Sequence, residues 1–261
     1  MATDEYYSQI LQAEEELEAA VTHFQARSGI VVVTEPGTGE ILAMANVPLY
    51  DPNSFARFDP EVHRNRAVTD LYEPGSTFKA VAVAAALEEQ HYRPSDRIFC
   101  EHGEMQVAGD VIRDTHPNGW LTVQEIVEES SNIGTIKIAQ TLGKAKLFRY
   151  MRLFGFGSLT GGNLPGEVPG EVKHPSQWSE RTLETLSIGQ EVGVTALQMV
   201  AAYGAIANGG RLVAPRIFLK TLRGDSLLST GHPEVLRQVI SPETAKTVSN
   251  TEPNNQALLL N

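Results

Sequence analysis

The sequence predicts one domain of the α+β class, on three observations. Two short β-rich runs flank a Pro-Gly turn near the start, helical patterns fill most of the rest, and no internal repeat or linker-like break divides the chain. With 41% hydrophobic and 20% charged residues among 261, the chain is long enough to bury a sizeable core.

Taken in order, residues 4–25 place Ile10, Leu11, Leu17, Ala20, Val21 and Phe24 at helical spacing, and Gly29 follows as a stop. The runs 30–34 and 40–45, separated by Pro36-Gly37-Thr38-Gly39, read as a β-hairpin. Residues 47–75 are rich in Pro, Asp, Asn and Arg without sustained periodicity, and predict a long ordered loop that lines something. A helix starting at or near Ser76 is apolar nearly all round through Leu87, which makes it central. Thr122 and Glu125 stand in capping-box register at the start of a helix that runs to Glu129, where "SSN" interrupts it, and a further helix follows over 133–142. After the Gly/Pro-rich stretch "GSLTGGNLPGEVPGEV", Thr195 caps a helix over 195–207 that Asn208-Gly209-Gly210 ends.

Charge and composition exclude several classes. The formal net charge is -11 and no basic or aromatic-interleaved stripe appears, so nucleic acid is not an expected partner. The single cysteine, Cys100, rules out an internal disulfide or a Cys-rich metal site, and the seven histidines show no metal-binding spacing. No metal and no cofactor is expected. The polar, acidic start does not resemble a secretory signal, and no apolar run is long enough to span a membrane.

The chemistry concentrates in "YEPGSTFK" and "SSN". A serine hydroxyl becomes a nucleophile when a base takes its proton, and lysine serves as that base only when held neutral. Lys79, in the first turn of an apolar helix, meets two forces favouring neutrality: the positive end of the helix dipole and desolvation. Lowering a lysine pKa from about 10.4 to about 7 takes roughly 4 to 5 kcal/mol of differential interaction. The i, i+3 spacing sets Ser76 and Lys79 one turn apart on one face, with the Ser76 N–H free to donate to an oxyanion. Read alone, Ser76 is better explained as a helix cap and Lys79 as a lysine snorkelling to solvent, and Ser130-Ser131-Asn132 as a cap for the next helix. Paired, they are the chain's single S-x-x-K and single S-x-N, the first two elements of the penicillin-binding protein and serine β-lactamase signature.

With these motifs in place, the chain resembles the transpeptidase domain of class B penicillin-binding proteins, particularly the division-type enzymes. The likeness runs over about residues 11–248 and includes, in the family's order, "SGIVVVTEPGTGEILAMANVPLYDPNSF", "NRAVTDLYEPGSTFK", "CEHGEMQVAGDVIRDTHPNGWLTVQEIVEESSNIG", "LPGEVPGE", "SIGQEVGVTALQMVAAYGAIANGG" and "ISPETAKTV". The resemblance implies an antiparallel sheet with helices around it and a serine acyl-enzyme D,D-transpeptidase that cross-links peptidoglycan. It implies Ser76 as the acylated nucleophile, Lys79 as its base, Ser130 as a proton relay and Asn132 as a substrate-binding amide. Implied partners are peptidoglycan stem peptides, β-lactam antibiotics and the cell-division glycosyltransferase machinery. The family setting is a parent anchored in the bacterial inner membrane with this domain in the periplasm.

The departures set further expectations. No Lys-Thr-Gly triplet follows: 220–222 and 246–248 each lack the glycine, and the second lies in a helical pattern. Residues 249–261 resemble nothing in the family, and the chain reads as a partial catalytic domain, truncated before that motif. Three sheet strands are then expected to be missing, leaving the 30–45 hairpin with an open edge and an uncovered apolar face. Little or no transpeptidase activity is expected of the chain alone. The alternatives are a serine β-lactamase using Glu167 or Glu171 as a deacylating base, and a non-catalytic division scaffold.

Overall fold

A computed structural model of the chain describes residues 4–218, 220–223 and 226–251. Helix α1 (Asp4–His23) leads into strands β1 (Gly29–Thr34) and β2 (Ile41–Val47), which pair antiparallel from Gly29↔Val47 to Thr34↔Ile41. Gly39 closes the turn at φ +72°, where a side chain would strike the Ala214 carbonyl. Alternation sends Val31, Ala45 and Val47 toward Leu17 and Val21 of α1, while Val32 and Ile30 face Leu197, Ala67, Val68 and Leu164. Both faces of the hairpin are therefore covered, which corrects the expected bare face. The open edge is present: among the described residues β1 and β2 form a two-stranded sheet, with Arg216 bridging beside Glu40.

Residues 47–75 are more structured than their composition suggests. Asp51 and Asp59 cap the 3₁₀ turns Pro52–Arg57 and Pro60–His63, each with proline in its first turn, and Asn65 caps the short helix α2 (Arg66–Thr69). These elements run four to six residues, too short to leave a hydrophobic period.

The central helix starts near Ser76 as expected, in two stages. Residues Gly75–Phe78 form a 3₁₀ turn, and α3 (Lys79–Glu88) begins at the lysine. Every residue from 79 to 87 is buried. Phe78 packs on Phe156 at 5.0 Å between ring centroids, and each such ring contributes on the order of 2 kcal/mol by leaving water. The small alanine side chains let neighbours approach α3 on all sides. Strands β3 (Arg97–Phe99) and β6 (Trp120–Thr122) pair, as do β4 (Glu104–Val107) and β5 (Asp110–Arg113). Thr122 and Glu125 form the expected capping box on α4 (Val123–Glu128), and α5 (Asn132–Leu142) follows directly.

Beyond α5, α6 (Lys144–Leu153) packs on α3, and the short buried α7 (Thr182–Ser187) packs on α5. Thr195 and Gln198 form a second capping box on α8 (Ala196–Ala207), which lies on β1. The remaining elements are β7 (Arg211–Val213), β8 (Lys220–Arg223), β9 (Ser226–Thr230), β10 (Val235–Gln238) and α9 (Pro242–Thr251). Helix α9 closes the core against α3, α4 and α8, and the rest of the expected non-family tail, 252–261, lies outside the described residues.

Candidate active site

The 3₁₀ turn at Gly75–Phe78 places Ser76 and Lys79 nearly eclipsed, because i and i+3 superpose at three residues per turn. Ser76 is exposed while Lys79 is only 3% exposed, so the hydroxyl opens to solvent above a sealed amine. The Ser76 N–H lies in the first turn, where amides have no carbonyl behind them, and stays available to an anion. The segment before Ser76 is tied to residues 189–194. Gly75 N–H donates to Gly189 O at 3.0 Å, Tyr72 and Val194 exchange backbone bonds of 3.0 Å, and Glu191 N–H donates to the Glu73 carboxylate at 2.8 Å. Gly189 sits at φ +78°, and a Cβ there would enter the Gly75 backbone.

Lys79 Nζ reaches across to the junction of α4 and α5. It donates to Ser130 Oγ at 3.0 Å and to Ser130 O at 2.5 Å. Ser130 holds φ 52°, a left-handed conformation that a serine adopts only under constraint. Ser131 then caps α5, its Oγ accepting the Gly134 N–H at 3.0 Å. Burial pushes the Lys79 amine down to about 8, against the opposing negative charge of Asp114. Relative to the ordinary lysine value of 10.5, that raises the neutral fraction near pH 7 about 300-fold. The Ser76 hydroxyl has no hydrogen bond to Lys79, a contact that apo sites often complete only with substrate in place.

Asn132 opens α5 with its Nδ2 donating to Arg113 O at 2.7 Å. It lines a cavity of about 400 Å³ with Ile112, Arg113, Thr185, Ile188 and Gln190. The four residues singled out from sequence thus meet at one place: Ser76 one turn before Lys79, Lys79 on Ser130, and Asn132 two residues on. Sequence reasoning missed Asp114, Arg113 and the α7 wall, since a carboxylate in "RDTHPNG" carries no spacing signal. Of the two Lys-Thr pairs, one lies on β8 and the other inside α9, with Lys246 exposed. The Glu167 carboxylate accepts the Thr160 N–H and Oγ–H at 2.6 Å each, an intraloop closure that agrees with a turn-forming role.

Compared with known proteins, residues 29–251 match the penicillin binding protein transpeptidase domain. The chain belongs to that family. Among curated relatives, the probable peptidoglycan D,D-transpeptidase PbpC of Pseudomonas aeruginosa is 34% identical over 232 residues, 89% of this chain and 39% of its own length. Stage V sporulation protein D of Bacillus subtilis is 38% identical over 246 residues, 90% of this chain and 37% of its own. The chain thus spans well under half the length of these relatives. Among solved structures, penicillin binding protein 3 of Mycobacterium tuberculosis complexed with ampicillin is similar at TM-score 0.87 and 33% identity, covering 95% of this chain and 56% of that one. The transpeptidase domain of penicillin-binding protein 3 from Burkholderia pseudomallei is similar at TM-score 0.79 and 31% identity, covering 94% and 67%. The fold is therefore the α+β transpeptidase fold, and the lineage is that of peptidoglycan D,D-transpeptidases.

Proposed function

We propose that the chain forms one transpeptidase domain whose site carries the serine acyl-transfer chemistry of peptidoglycan cross-linking, with little transpeptidase turnover expected of the chain alone. Ser76 is the nucleophile, Lys79 its base, Ser130 the relay and Asn132 a substrate-binding residue. The observation that carries this reading is the sealed lysine, 3% exposed and 3.0 Å from the Ser130 hydroxyl, one turn after an exposed serine. In the forward step, Ser76 Oγ bonds to the penultimate D-alanine carbonyl of a stem peptide while its proton passes to neutral Lys79. The Ser76 N–H donates to the oxyanion. Collapse breaks the C–N bond, and Lys79 returns the proton through Ser130 Oγ to the departing D-alanine amine. An amine from a neighbouring strand then attacks the ester, loses its proton along the same path and frees Ser76. A β-lactam follows the first half, its ring C–N bond opening while the amine stays attached to the acyl group.

The sequence holds no Lys-Thr-Gly triplet, the element that in this family supplies the second oxyanion donor and a cationic grip on the substrate carboxylate. Loss of one such donor costs about 10² to 10³ in rate. Incubation with a fluorescent penicillin, followed by peptide mapping, is expected to place the adduct on Ser76 over hours. Ser76→Ala and Lys79→Met are expected to stay unlabelled. A chain still unlabelled after a day, or label persisting in Ser76→Ala, overturns the assignment.

The wider setting belongs to the same proposal: a parent anchored in the bacterial inner membrane, the domain in the periplasm, and the division glycosyltransferase machinery as partner. Among the described residues, no helix is long and apolar enough to cross a membrane.

A further inference from the structure

We propose that Asp114 is the positioning residue of the site, a carboxylate clamp that fixes Ser130 beneath Lys79 by gripping the two residues that follow it and the amide of the third. The inference rests on the reading of Ser76, Lys79 and Ser130 above. Asp114 stands just past β5 and touches neither Ser76 nor Lys79 through a hydrogen bond. Its Oδ2 accepts the Ser131 hydroxyl at 2.6 Å, and its Oδ1 accepts the Asn132 N–H at 2.5 Å and the Ile133 N–H at 3.1 Å. One carboxylate thus satisfies two of the unpaired amides that begin α5, and also orients the serine that caps it.

The geometry gives this clamp its consequence. Ser130 is left-handed at φ 52° and sits between two anchored points: behind it, Ser130 N–H and Ser131 N–H donate to Val127 O and Ile126 O at the end of α4. Ahead of it, Ser131 and Asn132 are held by Asp114. A left-handed serine is strained, and persists where its neighbours over-determine it. That conformation presents both the carbonyl and the hydroxyl of Ser130 to one lysine nitrogen. Released from Asp114, Ser130 is free to relax toward the negative φ that an L-residue prefers, which ends the shared approach of its carbonyl and hydroxyl to Lys79. The Arg113 carbonyl, one residue earlier, takes Asn132 Nδ2 at 2.7 Å, so the same strand end also sets the Asn132 side chain.

The test compares Asp114→Glu, Asp114→Asn, Asp114→Ala and Ser131→Ala by penicillin labelling of Ser76, corrected for folded fraction, and by amide exchange along α5. A clamp predicts that Asp114→Ala slows the acylation step at least tenfold with little change in the preceding binding constant. Asp114→Glu is slowed although its charge is kept, Asp114→Asn falls between because it retains one acceptor, and Ser131→Ala is slowed without any change of charge. Amides 132 and 133 lose protection in Asp114→Ala while the rest of α5 keeps its own. Wild-type labelling rates in Asp114→Ala, equal rates in Asp114→Asn and Asp114→Ala with Asp114→Glu unaffected, or a uniform loss of protection along α5, each overturns the clamp. Should the wild-type chain fail to acylate, the proposed function falls, and the exchange measurement still decides the role of Asp114.

Discussion

At the scale of single residues, Lys79 sets the energetics. Its amine titrates at about 8 in the folded chain and at 10.5 when free. The folded state therefore binds fewer protons than the unfolded state between those values, and stability rises with pH across that window. Below pH 8 the buried charge costs on the order of 3 kcal/mol, relieved as the pH climbs toward 10.5. Tyr150, held protonated by burial and by Glu89, acts in the opposite sense once the unfolded tyrosine ionises near 10. Urea unfolding at pH 7.5 and pH 9.5 is expected to show the wild type gaining on the order of 2 kcal/mol relative to Lys79→Met. Equal pH dependence in the two chains would show that Lys79 is not desolvated. The same residue was legible in sequence, because an S-x-x-K ahead of an all-apolar helix leaves the lysine no route to water. Asp114 was not, because its partners are fixed by backbone amides that no residue type announces.

At the scale of elements, capping chemistry was the most readable feature. Thr122 with Glu125 and Thr195 with Gln198 form reciprocal boxes at the helix starts read from sequence, since such caps act within four residues. The α7 helix was invisible: six buried residues carry no amphipathic period, and the Glu184 within it is held by Gln140 Nε2 at 2.9 Å from another helix. The short strands β3 to β6 were missed for the same reason of length. The turn that carries Ser76 depends on a further contact between elements, where residues 72–75 are laced to 189–194 by backbone bonds. Gly189→Ala forces a Cβ into the Gly75 backbone at a positive φ, and is expected to cost about 2 kcal/mol or more of stability. Labelling of Ser76 should fall with it, because the turn that carries the hydroxyl must shift. Chemical denaturation and penicillin labelling of this variant check the two effects, and an unchanged midpoint would show that the two segments are not interlocked.

At the scale of the whole molecule, one large cluster holds α3, α5, α6, α8 and α9 together, from Phe78 to Val248, while α1 rests on a small separate cluster of Leu17, Ala45 and Val47. Regions with few buried contacts open at lower free energy than the core. Hydrogen exchange by mass spectrometry is expected to show α1 exchanging well before α3 and α5, whereas simultaneous exchange would place all of them in one cooperative unit. By itself the sequence determined the class of fold, the apolar central helix, the hairpin, the capped helix starts and the pairing of Ser76 and Lys79 with Ser130 and Asn132. Each of these rests on local periodicity, on capping within one turn, or on a short motif. The tertiary structure alone decided that both hairpin faces are covered, that Lys79 turns toward Ser130, and that Asp114 grips the start of α5. Those are long-range outcomes, set by which surfaces meet when distant segments pack, and a backbone amide or carbonyl leaves no mark in the letters of a sequence.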